Sequence, residues 1–335
     1  MQAAVYKGPG LPWVVENVAD PVPLAGEAVI RVGRCGICGS DLKLSSEGSQ
    51  MPCDSILGHE YSGEIVALAP GETWLRIGDN VTALPATGCG ECAQCQRGEP
   101  VLCAQLRAYM GGFAEFMRIP QAGTIRLPEA LSLADGALVE PLAVGLHGVR
   151  LSTIADAKRI VILGVGSVGL ATLYWANQLG TGKIVAASRS DRRQSLALAM
   201  GANHFVTTGD DDAARIADAL GGPPDLVFEC AGSPGTIAQS LNLVRTDGTV
   251  VVLGSCMKPE QIVSVLATMK QARMVFASAY SMEEFRFVVD HLGKGHFDPR
   301  KIVSKTIGLD ALPAMIEAMR AGTSDTKVHV DPAIH

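Results

Sequence analysis

No apolar run in this chain reaches the length needed to span a bilayer, and no low-complexity tract interrupts it. Basic residues are not in excess. The net charge of −6 gives no reason to expect nucleic acid or an anionic membrane as a partner. The opening residues, MQAAVYKGPGLPW, lack a basic segment followed by an apolar core. No secretory signal is therefore expected, and the cytoplasm is the expected compartment. Nine cysteines in such a chain favour metal ligation and free thiols over disulfides. What is present is a globular composition, 47% hydrophobic and 19% charged. Its 335 residues suffice for two domains, each with its own core.

Four of the cysteines, Cys89, Cys92, Cys95 and Cys103, fall within CGECAQCQRGEPVLC. Thiolates are soft ligands, and tetrahedral zinc takes four of them at about 2.3 Å. The two-residue spacers let one loop wrap an ion, and the longer spacer before Cys103 lets the chain return to close the cage. Gly88, Gly90, Gly98 and Pro100 supply the turns. Four protein ligands leave no open position, so this zinc is structural and catalysis must lie elsewhere. A disulfide knot is the competing reading. Cys35, Cys53, Cys230 and Cys256 show no partner set and read as ordinary thiols.

The first third is β-rich: AAVYK, AVIRVG, SGEIVAL, NVTAL and FAEFMRI are short strand-like runs divided by Gly, Pro and Asp turns. From Arg159 the texture changes. RIVILG, KIVAAS, HFVTT, DLVFEC and TVVVLG are strands alternating with the helical patterns VGLATLYWANQLG, RRQSLALAMG, DAARIADALGG and TIAQSLNLV. Such alternation implies a parallel sheet with right-handed crossovers. After Tyr280, MEEFRFVVDHLGKG and LPAMIEAMRAG are amphipathic helices and KVHV a closing strand, a segment expected to fold back onto the first domain.

Gly164-Val165-Gly166-Ser167-Val168-Gly169 follows RIVIL and opens a helix. The first glycine makes a tight turn, the second admits a pyrophosphate, and the third lets helix pack on strand. The phosphates then meet free N–H groups at the helix N-terminus. An NAD site should carry an acidic residue at the tip of the next strand. Here that strand ends Ala187-Ser188-Arg189-Ser190-Asp191-Arg192-Arg193. Serine does not repel a 2′-phosphate and arginine clasps one. Ser188, Arg189 and Arg193 are therefore the expected 2′-phosphate site, favouring NADP(H) over NAD(H). The alternative places Asp191 on the ribose.

Cys38 lies in GICGSD, His59 and Glu60 in GHE, and Glu140 in VEPLA. One sulfur, one imidazole and one carboxylate are ligand types that an open catalytic zinc site uses, although spacing alone leaves the set undecided. The alternatives are a small core cysteine, a loop histidine, and Glu140 as a first-turn acid of a helix.

With GRCGICGSD, GHEYSGEIV, GDNV, the cysteine lobe, GGFAEF, VEPLAVGLHGV, ILGVGSVGL and FECAGSP taken together, the chain resembles the zinc-dependent medium-chain alcohol and polyol dehydrogenases over essentially its whole length. The resemblance lies with the sorbitol and threonine dehydrogenase branch. It implies an α/β protein: a GroES-like β catalytic domain (1–145, with the zinc lobe at 88–104), a Rossmann domain (146–280), and a return to the catalytic domain (281–335). It implies two Zn²⁺ per subunit, the catalytic one on Cys38, His59 and Glu140, the glutamate acting directly or through water. Glu60 is implied as a neighbouring carboxylate that ligates in some states. Ser40 is implied as the proton-relay hydroxyl and Asp41 as the carboxylate orienting His59. Leu253, Gly254 and Ser278 match positions near the nicotinamide, and Lys327 a basic residue near the cofactor phosphates.

The implied reaction moves a hydride between NADP(H) and a secondary alcohol or diol and its ketone. Reduction of a conjugated C=C bond, or a non-catalytic zinc- and dinucleotide-binding role, are the alternatives. The implied partner is a small alcohol or ketone, with a homodimer or homotetramer as the assembly. Lys43 stands where many relatives end their proton relay with histidine, so proton exit through water is expected. Ala277-Ser278 replaces the Arg-Tyr pair of sorbitol-type enzymes, which argues for a less polar substrate than sorbitol.

Overall fold

The computed structural model describes residues 1–71 and 73–334. The chain divides into two units, one of residues 1–140 with 280–335 and one of 141–279. The expected boundaries at 145/146 and 280/281 stand beside a division at 140/141 and 279/280.

In the first unit a seven-stranded sheet runs in the order Val303–Ile307, Lys327–Val330, Glu27–Gly36, Glu60–Leu68, Asn80–Ala83, Thr124–Arg126, with Phe116–Pro120 also paired to Glu27–Gly36. The long strand Glu27–Gly36 is the hub, because alternating valine and isoleucine bury one face while both edges carry antiparallel partners. Beneath it lies a core that includes Tyr6, Trp13, Ile30, Leu57, Tyr61, Ile65 and Phe113. Trp13 holds Tyr6 and Phe113 at ring-centroid distances of 6.0 Å each. The closing strand Lys327–Val330 pairs antiparallel with the hub.

The second unit is a six-stranded parallel sheet in the order His204–Thr207, Lys183–Ser188, Arg159–Leu163, Leu226–Glu229, Thr249–Val252, Arg273–Phe276. Numbered along the chain this is 3-2-1-4-5-6, the order of dinucleotide-binding folds, whose ligand crevice opens where the order reverses. The inner strands RIVIL, LVFE and TVVV are continuously apolar because helices cover both faces. The sixth strand, Arg273–Phe276, and the helix Ser264–Lys270 before it lie beyond the alternation legible in the sequence. Both are short and carry exposed residues, so their patterns are weak.

One helix, Leu133–Arg150, contains Pro141 in its interior. One reading of the sequence makes Glu140 a first-turn acid of a helix. The helix instead begins two turns earlier, and Glu140 sits midway along it. Among the described residues no helix is long and apolar enough to cross a membrane.

Candidate active site and metal centres

The cysteine lobe is arranged around a point. Cys89 Sγ lies 4.0 Å from Cys95 Sγ, and Cys92 Sγ lies 3.6 Å from Cys95 Sγ and 3.7 Å from Cys103 Sγ. A tetrahedron of thiolates about 2.3 Å from zinc has edges of about 3.8 Å, whereas a disulfide needs about 2 Å. The four sulfurs therefore fit a zinc cage and not a disulfide knot, and all nine cysteines are unbridged. Backbone N–H groups of Cys89 and Gln105 donate to Cys103 Sγ, and that of Cys92 to Cys89 Sγ. The N–H of Glu91, then that of Cys92 and the Cys103 thiol, hold the Cys89 thiol down at about 6, which favours its thiolate. Gly88 is required: a Cβ there would overlap Cys95 Sγ.

A second cluster forms where three strands of the first unit meet. Antiparallel register sets Gly36 opposite Glu60 on one side and opposite His329 on the other. Cys38 follows the end of the hub strand, His59 and Glu60 open the next strand, and Lys327 opens the closing one. Ligand atoms of Cys38, His59 and Glu60 all lie within 4.8 Å of one another. Gly36 makes room, since a Cβ there would collide with Glu60 Oε2. Gly58, at φ 93°, occupies the left-handed region, and a Cβ on it would press on Cys35 and Phe113. His59 is placed by that turn.

Cys38 is the N-cap of the short helix Gly39–Leu44, and Asp41 Oδ2 accepts the Cys38 N–H at 2.9 Å. The other oxygen, Asp41 Oδ1, faces His59 Nδ1 at 3.4 Å and has no other partner. Asp41 thus favours a proton on Nδ1, the orientation in which Nε2 is the nitrogen that would face a metal. Burial by itself would lower the His59 pKa, but Asp41 and Cys38 outweigh it and hold it well above 6.5. Ser40 Oγ lies 3.4 Å from His59 Nε2. The donor set of one thiol, one imidazole and one carboxylate suits zinc, with a position left open.

Glu140, expected to act on the metal directly or through water, is not among the three residues whose ligand atoms lie within 4.8 Å of one another; Glu60 is. Tyr280 donates its hydroxyl hydrogen bond to Glu140 Oε1 at 3.1 Å. Burial lifts the Glu140 carboxyl to about 7; Glu60 adds to the rise while His59, Lys327 and Tyr280 restrain it. Lys327 was expected near the cofactor phosphates. It is fully buried in the first unit, with Nζ 2.5 Å from both oxygens of Glu60 and 2.9 Å from Ile37 O. Burial would lower its pKa, but Glu60 reverses the sign and raises it. With three acceptors on one ammonium, Lys327 neutralises Glu60. Tyr280 went unnoticed in the sequence; the only signal is its nearness to the altered Ala277-Ser278 pair.

The three glycines of the loop in the second unit have different surroundings. Gly164 has φ 98° and a Cβ there would strike the Ala231 backbone. Gly166, the N-cap of the helix Ser167–Leu179, has open space where its Cβ would be. Gly169 packs so tightly that a Cβ would overlap Gly164 O. A cavity of about 650 Å³ opens here, lined by Gly164, Gly166, Ser188, Arg189 and Arg193 among others. Arg193 also donates to Val165 O at 3.3 Å. Asp191 is not among the lining residues. Ser167 and Val168 begin the helix. Leu253, Gly254 and Ser278 lie outside the lining, past the carboxyl ends of the fifth and sixth strands of that sheet.

Comparison with known proteins agrees with this arrangement. Residues 24–129 match the alcohol dehydrogenase GroES-like domain, and residues 167–294 match the zinc-binding dehydrogenase domain. The (R,R)-butanediol dehydrogenase of Bacillus subtilis is 30% identical over 312 residues, covering 89% of this chain and 90% of that protein. The sorbitol dehydrogenase of the same organism is 27% identical, covering 95% and 94%. Among solved structures, a chain described as a zinc-binding dehydrogenase from Sinorhizobium meliloti 1021, bound to NADP, superposes with TM-score 0.90 at 32% identity, covering 99% of each chain. The fold and sites thus define an oxidoreductase with a GroES-like domain and a Rossmann-type domain. The chain belongs to the zinc-dependent medium-chain alcohol and polyol dehydrogenase family.

Proposed function

We propose that the chain is an NADP(H)-dependent zinc dehydrogenase that interconverts a secondary alcohol or diol with its ketone, carrying one structural and one catalytic zinc per subunit. The observation that supports this most is the strand register that gathers Cys38, His59 and Glu60, with Ser40 against His59 and Asp41 behind it. Zinc on these residues supplies Lewis acidity to an alcohol or carbonyl oxygen, and NADP(H) supplies the hydride chemistry. Asp41 fixes the ring orientation and tautomer of His59. Lys327 neutralises Glu60, so the carboxylate is held in place without adding net charge to a buried site. Ser40 passes the alcohol proton. Water takes it onward in preference to Lys43.

Ser188, Arg189 and Arg193 are the proposed 2′-phosphate contacts, because they line the cavity beside the glycine loop and no carboxylate stands at that strand tip. The NADP bound in the Sinorhizobium meliloti structure supports the same choice. Leu253, Gly254 and Ser278 are assigned to the nicotinamide end, where strands five and six finish. A homo-oligomer is proposed through the edge strand Arg273–Phe276. It is preceded by a helix region whose Val263 and Met269 are 63% and 76% exposed, an apolar cost that a second copy would remove.

The test is turnover of a panel of ketones, enones and diols with NADPH and with NADH, alongside metal analysis of the purified protein. The expected result is alcohol from ketone, a preference for NADPH, and two zinc ions per subunit. A roughly tenfold preference for NADH would remove the cofactor assignment. A saturated ketone as product would move the chain to C=C reduction, and no turnover of any substrate to a non-catalytic role.

A further inference from the structure

The two metal centres pose a question about their difference. The cysteine lobe offers four protein ligands and is closed. The second cluster offers three, while Glu140, a further buried carboxylate, stands outside it with Oε1 bonded to the Tyr280 hydroxyl. If that carboxylate joined Cys38, His59 and Glu60, the site would have four protein ligands and no position for a substrate oxygen.

We propose that Tyr280 is the positioning residue that keeps the Glu140 carboxylate off the metal and so keeps the catalytic position open. This rests on the metal reading above. The Tyr280 hydroxyl bonds Glu140 Oε1 at 3.1 Å, and the tyrosine is held so that it cannot follow the carboxylate inward. Its ring is fully buried and stacked on Phe285, with centroids 5.5 Å apart and planes 15° from parallel. The next residue, Ser281, is locked in a capping box with Glu284 at the head of the helix Met282–Gly293. Glu140 and Tyr280 are the residues at which the chain leaves and re-enters the first unit, so the bond joins its two segments. Lys327 holds Glu60 in the cluster while Tyr280 holds Glu140 away: two buried carboxylates, each with its own donor, sorted into ligand and non-ligand.

The test uses the full-length protein loaded with Co²⁺, whose d–d absorption reports ligand number. The catalytic-site spectrum is isolated as the difference from a Cys38→Ser variant, which leaves the cysteine lobe intact. Tyr280→Phe keeps the ring and its stacking and deletes only the hydroxyl. With Glu140 released as a further ligand, the metal should leave to a chelator roughly tenfold more slowly, and the d–d bands should weaken as coordination rises. The sign is diagnostic. Loss of a tyrosine that merely supports the site loosens the metal. Tyr280→Phe/Glu140→Gln should return the metal's release rate to that of the parent protein.

Unchanged or faster metal loss in Tyr280→Phe overturns the inference, as does slowed loss that survives in the double variant. Glu140→Gln alone gives an independent check, because its amide oxygen still accepts from Tyr280. It should leave metal retention unchanged, and a roughly tenfold loosening would make Glu140 a ligand already and sink the proposal. If the parent protein shows no Cys38-dependent cobalt absorption, the metal reading itself falls and this inference with it. If that absorption is present and only the tyrosine variant fails to respond, this inference alone falls.

Discussion

At the scale of single residues, the site is made by the glycines as much as by the ligands. Cys38, His59 and Glu60 meet only because Gly36 has no side chain where Glu60 turns toward Lys327. Gly36→Ala should therefore push Glu60 from its place. Metal analysis is expected to show about one zinc per subunit in place of two, with the cysteine lobe still loaded. Retention of both ions would contradict that account. In the second unit, Arg193 both tethers the glycine loop at Val165 O and lines the cavity beside Ser188 and Arg189. Arg193→Ala should weaken NADPH binding by roughly ten- to a hundredfold, the loss of a charged contact worth about 1.5–3 kcal/mol. NADH binding should change by much less, and fluorescence titration with each cofactor separates the two. The glycine motif was legible from its spacing, and Cys38 and His59 from the family motifs around them. That Glu60 lies within 4.8 Å of them while Glu140 bonds Tyr280 was not legible, because Lys327 and Tyr280, the donors to these two carboxylates, are far away in sequence.

At the scale of elements, the parallel sheet was legible because its inner strands are unbroken apolar runs between helices. Its edge strand was not, since an exposed four-residue strand carries no such pattern. One carboxylate pins the start of the first parallel strand. Asp225 accepts from the backbone N–H groups of Lys158 and Arg159 and from the guanidinium groups of Arg159 and Arg245. Burial alone would raise its pKa, but Arg159, Arg245 and the two N–H groups drive it well below 3.8. A carboxylate with a depressed folded-state pKa contributes stability above its unfolded value, and that contribution fades as pH falls below about 3.8. Asp225→Asn should cost about 1–3 kcal/mol near neutral pH, the arginines being partly exposed. It should also flatten the loss of stability between about pH 4 and pH 2, measured by urea unfolding across that range. An acid slope equal to that of the parent protein would show that Asp225 is not the group responsible.

At the scale of the whole molecule, an edge strand with an apolar flank is one feature that the folded chain leaves uncovered. Val263→Glu with Met269→Lys should halve the mass in sedimentation velocity or better, while each subunit keeps its zinc. An unchanged mass would place the contact elsewhere. The glycine loop and the four-cysteine lobe were legible in the amino-acid sequence alone because each is local, a few residues whose spacing is itself the geometry; the family was legible because its motifs recur along the whole chain. That Glu60 lies with Cys38 and His59, that Lys327 bonds Glu60 and that Tyr280 bonds Glu140 was decided by tertiary structure alone. Those roles depend on the register between strands Glu27–Gly36, Glu60–Leu68 and Lys327–Val330, and on a hydrogen bond between residues 140 apart in the chain. Burial removes the water that would otherwise compete for these carboxylates, so each must find its donor inside the fold, and only the fold says which donor is within reach.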